Sequence, residues 1–594
     1  MPKISRFAGT PAALAIALLL SATPAWSSLE SVPPPEAGLS GSTSTPPSSL
    51  VTKKRPARPA LLTDPTTAFT VPATGQPAYL TSTPEPTFGT QIMRVGNNPG
   101  LALGTVPGVW GSDARHVYSK QQPWNSDNTL LTIENRNGGS PTPLILDGTT
   151  YAPKLAPCAN YNLYDYRWHP SPSHPHEQIN VDPTGKELMW FDVTTCTKTR
   201  TWTLPITANY GIGSGEGNPS NDGRYVAVGN GTAMVVVDMD PKPPFAAYPN
   251  KRIGPVYTFP AESLSTSSPA SWTIGNLSVS PSGRYVDVKF SSTDDCGSFD
   301  MHRIFEVDPT TLALKPHNMA TSSLRCCSFQ NRPNGWIFPL KHADMELDPF
   351  DSNEDVIVGG RSCPGATMGR VVKVRLRDGK LTALTDPTNE SSVYHVSTRN
   401  IDRPGWAYVS YFKVDGKRFS DEIIAVKLDG SLAVERYAHT HTAASGCYRC
   451  EAHPVPSRDG NRVLWASNWA QDCGTGCGSA SNIKDYVVWS PSAVGVDDAP
   501  PVPAPATGIA MSELRPNPSN GLPAVTYSLV SWAPASLELI DVAGRRVLVN
   551  ELGSPGPGTH ETHLGARTSP GAGVYWLRLR QEGRSVTRSI VLTR

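Results

Sequence analysis

The chain has 594 residues, too many for one ordinary domain, so two or more folded units are expected. Lys plus Arg totals 52 against 51 for Asp plus Glu, a balance that lacks the basic stripe that nucleic acid or an anionic membrane would require. With 58 Pro, 50 Gly and only 17% charged residues, the composition suits many short strands joined by turns, and an all-β protein is expected rather than a set of amphipathic helices.

Lys3 and Arg6 precede an apolar run from Ala12 to Leu20, and Ala25-Trp26-Ser27 fits a cleavage signal, so residues 1–27 read as a secretory signal peptide. The run falls well short of the roughly 20 apolar residues that span a bilayer. No later segment is apolar enough either, so no transmembrane segment is expected after signal cleavage. The mature protein is expected to be secreted or held at the cell surface. Ten cysteines, an even number, agree with export and favour disulfides, whose pairing stays open except that Cys158 and Cys196 are spaced to staple one repeat.

Residues 28–80 are rich in Pro, Ser and Thr and show no hydrophobic period, so a disordered tether is expected there. From 88 to 490 a loose unit recurs, in which a Gly-containing turn leads into alternating apolar residues. Copies begin at His116 (HVYSKQQPW), Pro183 (PTGKELMWFDV), Asn221 (NDGRYVAVGNG), Pro281 (PSGRYVDVKF), Glu354 (EDVIVGGR), Trp406 (WAYVSYF) and Arg458 (RDGNRVLWASNW). Seven units about fifty residues apart predict a seven-bladed β-propeller, because a lone four-stranded blade leaves both apolar faces wet and must stack on its neighbours. FGTQIMRVG, from Phe88, is placed to supply a strand that closes the ring with the last blade. A β-solenoid or a pair of sandwiches would carry similar turn spacing.

The turn-strand pattern in PSGRYVDV and SRDGNRVLWASNW resembles TolB-like propeller repeats, which also occur in secreted oligogalacturonate and ulvan lyases. A Pro-rich spacer at 497–507 then leads to residues 508–594. There Asn517-Pro518, the LELIDVAGRRV segment from Leu537 to Val547, and SPGAGVYWLRLR ahead of SIVLTR are similar to the FlgD-type Ig-like domain and the type IX secretion sorting domain. That resemblance implies a small Ig-like β-sandwich that acts in export or attachment, with the secretion machinery or cell envelope as its partner and no catalysis of its own.

Function on a propeller has to be argued from side chains near the axis. His342, His395 and His453 each stand just before a blade's main strand and so are expected to converge; with Arg399 they form the candidate catalytic set. His342, Asp344 and Glu346 alternate and are expected to face one way. His439, His441, His453, Cys447 and Cys450 form the candidate metal set for a divalent ion such as Mn²⁺, Ca²⁺ or Zn²⁺, with Cys473 and Cys477 also at zinc-like spacing. The export leader argues instead for disulfides at these cysteines. The histidines have a competing explanation too, as polar loop residues reused by each repeat.

The lyase resemblance implies a His-rich metal site. In β-elimination a histidine would act as base while Arg399 neutralises a uronate carboxylate. Trp124, Trp168, Trp336, Trp406 and Trp469 are candidate sugar-stacking platforms, although core packing is the commoner use of such rings. No GxSxG, HExxH, phosphate loop or dinucleotide fingerprint stands in a supporting context. Two expectations result: a propeller that binds an extracellular polysaccharide or protein ligand, or a polysaccharide lyase acting on uronate polymers.

Overall fold

The computed structural model describes residues 61–159, 161, 166–212, 216–259, 273–294, 297–320, 335–337, 340–361, 369–490, 509–511, 517–522, 524–529, 534–553, 558–564 and 570–593. The expected leader, most of the tether, the Pro-rich spacer, and Cys296, Cys326, Cys327 and Cys363 lie outside the described residues.

Local chemistry starts each blade's central hairpin. In three repeats a serine hydroxyl (Ser220, Ser280, Ser457) accepts the backbone N–H five residues on, from Tyr225, Tyr285 and Arg462 at 2.9, 3.1 and 3.1 Å. The glycine three residues after each serine sits in the left-handed region, with φ of 75°, 80° and 65° at Gly223, Gly283 and Gly460, where a Cβ would be strained. The strands that follow are apolar on both faces. In the third repeat Val226, Val228, Val235 and Val237 enter one core while Ala227, Met234 and Val236 enter the next. The period-two geometry of a strand therefore divides each sheet between two neighbours.

Six blades run from the axis outward in chain order. Their first strands are Asp113–Arg115, Tyr166–Trp168, Tyr210–Gly211, Thr273–Val279, Leu340–Asp348 and Val393–Ser397. The seventh consists of Val455–Pro456, Arg462–Ser467, Ile483–Trp489 and, as its fourth strand, Gln91–Arg94. In that last pairing Met93 lies opposite Val487, so the FGTQIMRVG segment closes the ring by hydrogen bonding the end of the propeller to its beginning.

Seven hydrophobic cores fill the seven interblade gaps. Leu130 and Ile145 of blade one pack with Trp168 and Met189 of blade two. The series continues round to Leu464 and Val487 of blade seven against Ala114 and Leu131 of blade one. The wheel is a closed seven-bladed β-propeller.

Residues 61–80 depart from the expected tether. Leu61 is buried, and Leu62 bridges to Arg436. Arg436 Nη1 donates to the Thr67 carbonyl at 2.8 Å, Trp469 Nε1 to the Thr74 carbonyl at 2.9 Å, and Gln76 Nε2 to the Tyr486 hydroxyl at 2.7 Å. Composition suggested disorder here, but Arg436 on the outer strand of blade six and Trp469 just beyond the second strand of blade seven offer buried donors that this segment's carbonyls satisfy.

Near the C-terminus, strands Ala510–Met511, Ala524–Leu529 and Gly558–His563 form one sheet, and Ala535–Asp541, Arg546–Gly553, Gly573–Gln581 and Arg584–Leu592 form another. Val525, Tyr527 and Leu529 of the first face Leu537, Leu539, Leu577, Leu579 and Ile590 of the second, which makes a β-sandwich with its own core. Among the described residues no helix is long and apolar enough to cross a membrane.

Candidate functional site at the propeller axis

The first strands of blades five and six, with the segments that lead into the first strand of blade seven and out of that of blade one, bring His342, His395, His453 and Tyr118 together. Ring centroids lie 4.2 Å apart for His342 and His395, and 3.9 Å for His395 and His453. The Tyr118 ring packs on His453 at 4.9 Å, and its hydroxyl contacts His342 Nδ1 at 2.8 Å. His395 Nε2 lies 2.7 Å from Glu451 Oε2, and His453 Nε2 lies 3.9 Å from the same oxygen.

Backbone irregularity aims these rings. A bulge between Lys341 and Asp344 and a second between Val393 and Val396 interrupt the inner strands at His342 and His395. His342 and His453 have φ of 49° and 44°, a conformation that is uncommon outside glycine and tends to cluster at functional sites. The bulge also corrects the expected alignment of His342 with Asp344 and Glu346. His342 turns to the histidine cluster, while Asp344 accepts from Arg399, and Glu346 accepts from the Gly405 N–H at 2.8 Å.

Burial makes the imidazoles neutral. It lowers His342 and His395 to about 3, with His395 adding to the effect on His342, and it drives His453 well below its ordinary value. Burial raises the Glu451 carboxyl, against the opposing hydrogen bond from Tyr394. Nearby, burial would raise the Glu216 carboxyl, but Lys120 and Lys289, at 2.7 and 2.8 Å, hold it low. Tyr448, 55% exposed, lays its ring 5.2 Å from His453, so solvent begins one ring away from the cluster.

His395, Glu451 and His453 offer donor atoms that all lie within 4.8 Å of one another. Their chemistry fits a borderline divalent cation. Two imidazoles need lose no proton to bind, a carboxylate supplies charge, and His395 Nδ1 and His453 Nδ1 are buried without a hydrogen-bond partner.

The other candidates lie elsewhere. Arg399 stands four residues beyond His395, about 13 Å along an extended segment at roughly 3.3 Å per residue. Its Nε and Nη2 both donate to Asp344, at 2.9 Å each, so its charge is already paired. His439 ends, and His441 follows, the fourth, outermost strand of blade six. His439 Nδ1 lies 3.0 Å from Glu85, and the His441 ring stacks on Trp469 at 4.4 Å. Cys447–Cys450, Cys473–Cys477 and Cys158–Cys196 are disulfides, so the candidate metal set reduces to His453 alone and the zinc reading of the cysteines is overturned.

Trp124, Trp168, Trp336 and Trp469 are buried in cores, and Trp406 lies under Arg403 at 4.4 Å. Tyr118, Tyr394 and Arg115 were not singled out from the sequence. Tyr118 follows the first strand of blade one and Tyr394 lies in the first strand of blade six, positions that a closed ring carries toward the axis.

Comparison with solved structures returns β-propeller domains. The β-propeller domain of Cps50 (Swd1) from Myceliophteria thermophila is 12% identical, covering 64% of this chain and 98% of that one, with a TM-score of 0.35. The Pan2 WD40 domain of Neurospora crassa is 13% identical over 63% and 89%, at 0.33. The dihydro-heme d1 dehydrogenase NirN, in complex with DHE, is 12% identical over 79% and 80%, at 0.28. At these values the fold rests on the strand pairing and the seven interblade cores themselves. No protein-family model matches the chain, and no curated protein does.

Proposed function

We propose that this protein is an exported propeller, secreted or retained at the cell surface, that binds an extracellular polysaccharide at its axis through a divalent cation held by His395, His453 and Glu451. The observation that carries this reading is the meeting of His395 of blade six with Glu451 and His453 of the segment entering blade seven, with His342 of blade five adjacent, at one point that opens past Tyr448. Two imidazoles and one carboxylate suit Mn²⁺ or Zn²⁺ better than the all-oxygen shell preferred by Ca²⁺. Bound there, the cation would supply a fixed positive charge to an anionic or hydroxyl-rich ligand.

Calorimetric titration with Mn²⁺ tests it. One site is expected in the whole protein, weakened at least about 100-fold in His395→Ala and Glu451→Gln, beyond the 10- to 100-fold typical of changes behind a metal's direct ligands. Equal affinity in both variants would refute the site.

Export and attachment are part of the same proposal. The leader-like residues 1–27, the TolB-like repeats and the FlgD-type resemblance of the last domain support it. So does an outward sheet face in that domain exposing Val547, Val549, Val574 and Trp576. Deleting residues 508–594 should leave the propeller folded and change where the protein accumulates; unchanged surface retention would remove the sorting role.

The contact between Tyr118 and His342 favours a second reading, a uronate lyase. Neutral His342 would take the proton next to the uronate carboxylate, the electron pair would form the ring double bond, and Tyr118 would protonate the departing glycosidic oxygen. Burial raises the Tyr118 hydroxyl well above its ordinary value and so keeps that proton in place. Ultraviolet absorbance of the unsaturated product, measured on a panel of uronate polymers, decides between binding and cleavage.

A further inference from the structure

Arg115 is a buried cation whose neighbours are all engaged elsewhere. It lies on the first strand of blade one, is 1% exposed, and has no hydrogen-bond partner at Nε or Nη1 among the described residues. Three carboxylates surround it. Asp113 and Glu134 are taken by Arg449, the latter at 2.7 Å, and Asp485 accepts from the His116 backbone N–H and contacts His116 Nδ1 at 2.7 Å.

Its surroundings are those of the axial cluster: Arg449, which holds Asp113 and Glu134, stands between Tyr448 and Glu451, and His116, the next residue along, lies 2.6 Å from the His453 carbonyl through Nε2. Leaving two N–H groups of a buried guanidinium without acceptors is costly, and the planar group matches a carboxylate in two parallel hydrogen bonds. Beside a cation on His395, Glu451 and His453, its unpartnered N–H groups would be matched by an anionic ligand group.

We propose that Arg115 is the anion-reading residue of the axial site, and that the ligand therefore carries a carboxylate rather than being a neutral sugar. This rests on the proposed axial site, but it assigns to Arg115 a role that the cation alone does not require. Arg399, the arginine that the sequence offered for this task, is already paired to Asp344.

The test measures binding of D-galacturonate and D-glucuronate against galactose and glucose, with and without Mn²⁺, in wild type, Arg115→Met and Arg115→Lys. Thermal melting is followed in parallel. Wild type is expected to prefer each acid over its neutral counterpart by at least about tenfold. Arg115→Met is expected to lose that preference while Mn²⁺ still binds, and Arg115→Lys to keep only part of it. If Arg115→Met fails to fold, Arg115→Lys alone decides, since a lysine cannot make the paired contact.

Wild type with no preference for either acid overturns the proposal, as does a preference undiminished in both variants. Loss of Mn²⁺ binding in wild type, with the Arg115-dependent preference intact, instead sinks the cation reading and leaves this one standing. A sulfated galactose that outcompetes both acids would overturn the carboxylate assignment.

Discussion

The inner segments of blades five, six and seven carry two polar layers that differ in how far their groups are satisfied. In the layer of Asp344 and Arg399, charges meet in a two-armed pair, and the Thr398 N–H and the Met345 carbonyl add further hydrogen bonds to it. In the layer of His342, His395 and His453, ring nitrogens are left over and the backbone is bulged or left-handed. The same strands thus build a fastened layer and an open one. Unpartnered ring nitrogens on neighbouring donors within reach of one point mark the layer that can take up a ligand.

Breaking the fastened layer should give the largest effect. Asp344→Asn or Arg399→Met strands a buried charge, and each is expected to cost about 3 to 5 kcal/mol of stability in denaturant melts while leaving Mn²⁺ affinity unchanged. A loss of Mn²⁺ binding in a folded Arg399→Met protein would join the two layers and end the distinction. In the open layer, His395→Ala should do the reverse, abolishing cation binding at little cost in stability.

Next in size is the turn that presents Glu451. The disulfide between Cys447 and Cys450 closes a turn of four residues directly before it. Replacing both cysteines with serine is expected to lower stability by about 2 kcal/mol and to weaken Mn²⁺ several-fold through a looser Glu451. An unchanged cation affinity would show that blade seven alone positions that carboxylate.

The smallest expected effect sharpens the contrast from outside both layers. Glu390, which accepts from Tyr411 and Thr385 at 2.7 and 3.0 Å, is pushed up to about 7 by burial. Its folded value lies above its unfolded one, so its contribution is fully present below about pH 4.5 and is lost as the pH rises through about 7. Melting temperature should therefore fall between pH 5 and 8 by an amount that Glu390→Gln reduces. A slope identical in the variant would assign the pH dependence to other groups.

The convergence of His342, His395 and His453 was legible because each precedes a blade's main strand, and a closed ring carries all such positions to one axis. Arg399 misled because its partner, Asp344, is 55 positions away and belongs to the previous blade. His439 and His441 misled for a related reason. A fourth strand ends at the rim, and spacing within one segment does not say whether that segment is inner or outer. Arg115 went unnoticed because what marks it out is a set of carboxylates already taken by Arg449 and His116, and no local pattern records that.

The sandwich at the end was implied by a family resemblance; from the residues themselves came the repeat, the number of blades and the strand that closes the ring. These follow from local turn chemistry and period-two apolar alternation, which neighbouring residues determine. Only the tertiary structure decided which polar groups satisfy one another and which are left over. Hydrogen-bond partnership at the axis is settled between blades hundreds of residues apart, so the functional surplus emerges only once the wheel is closed.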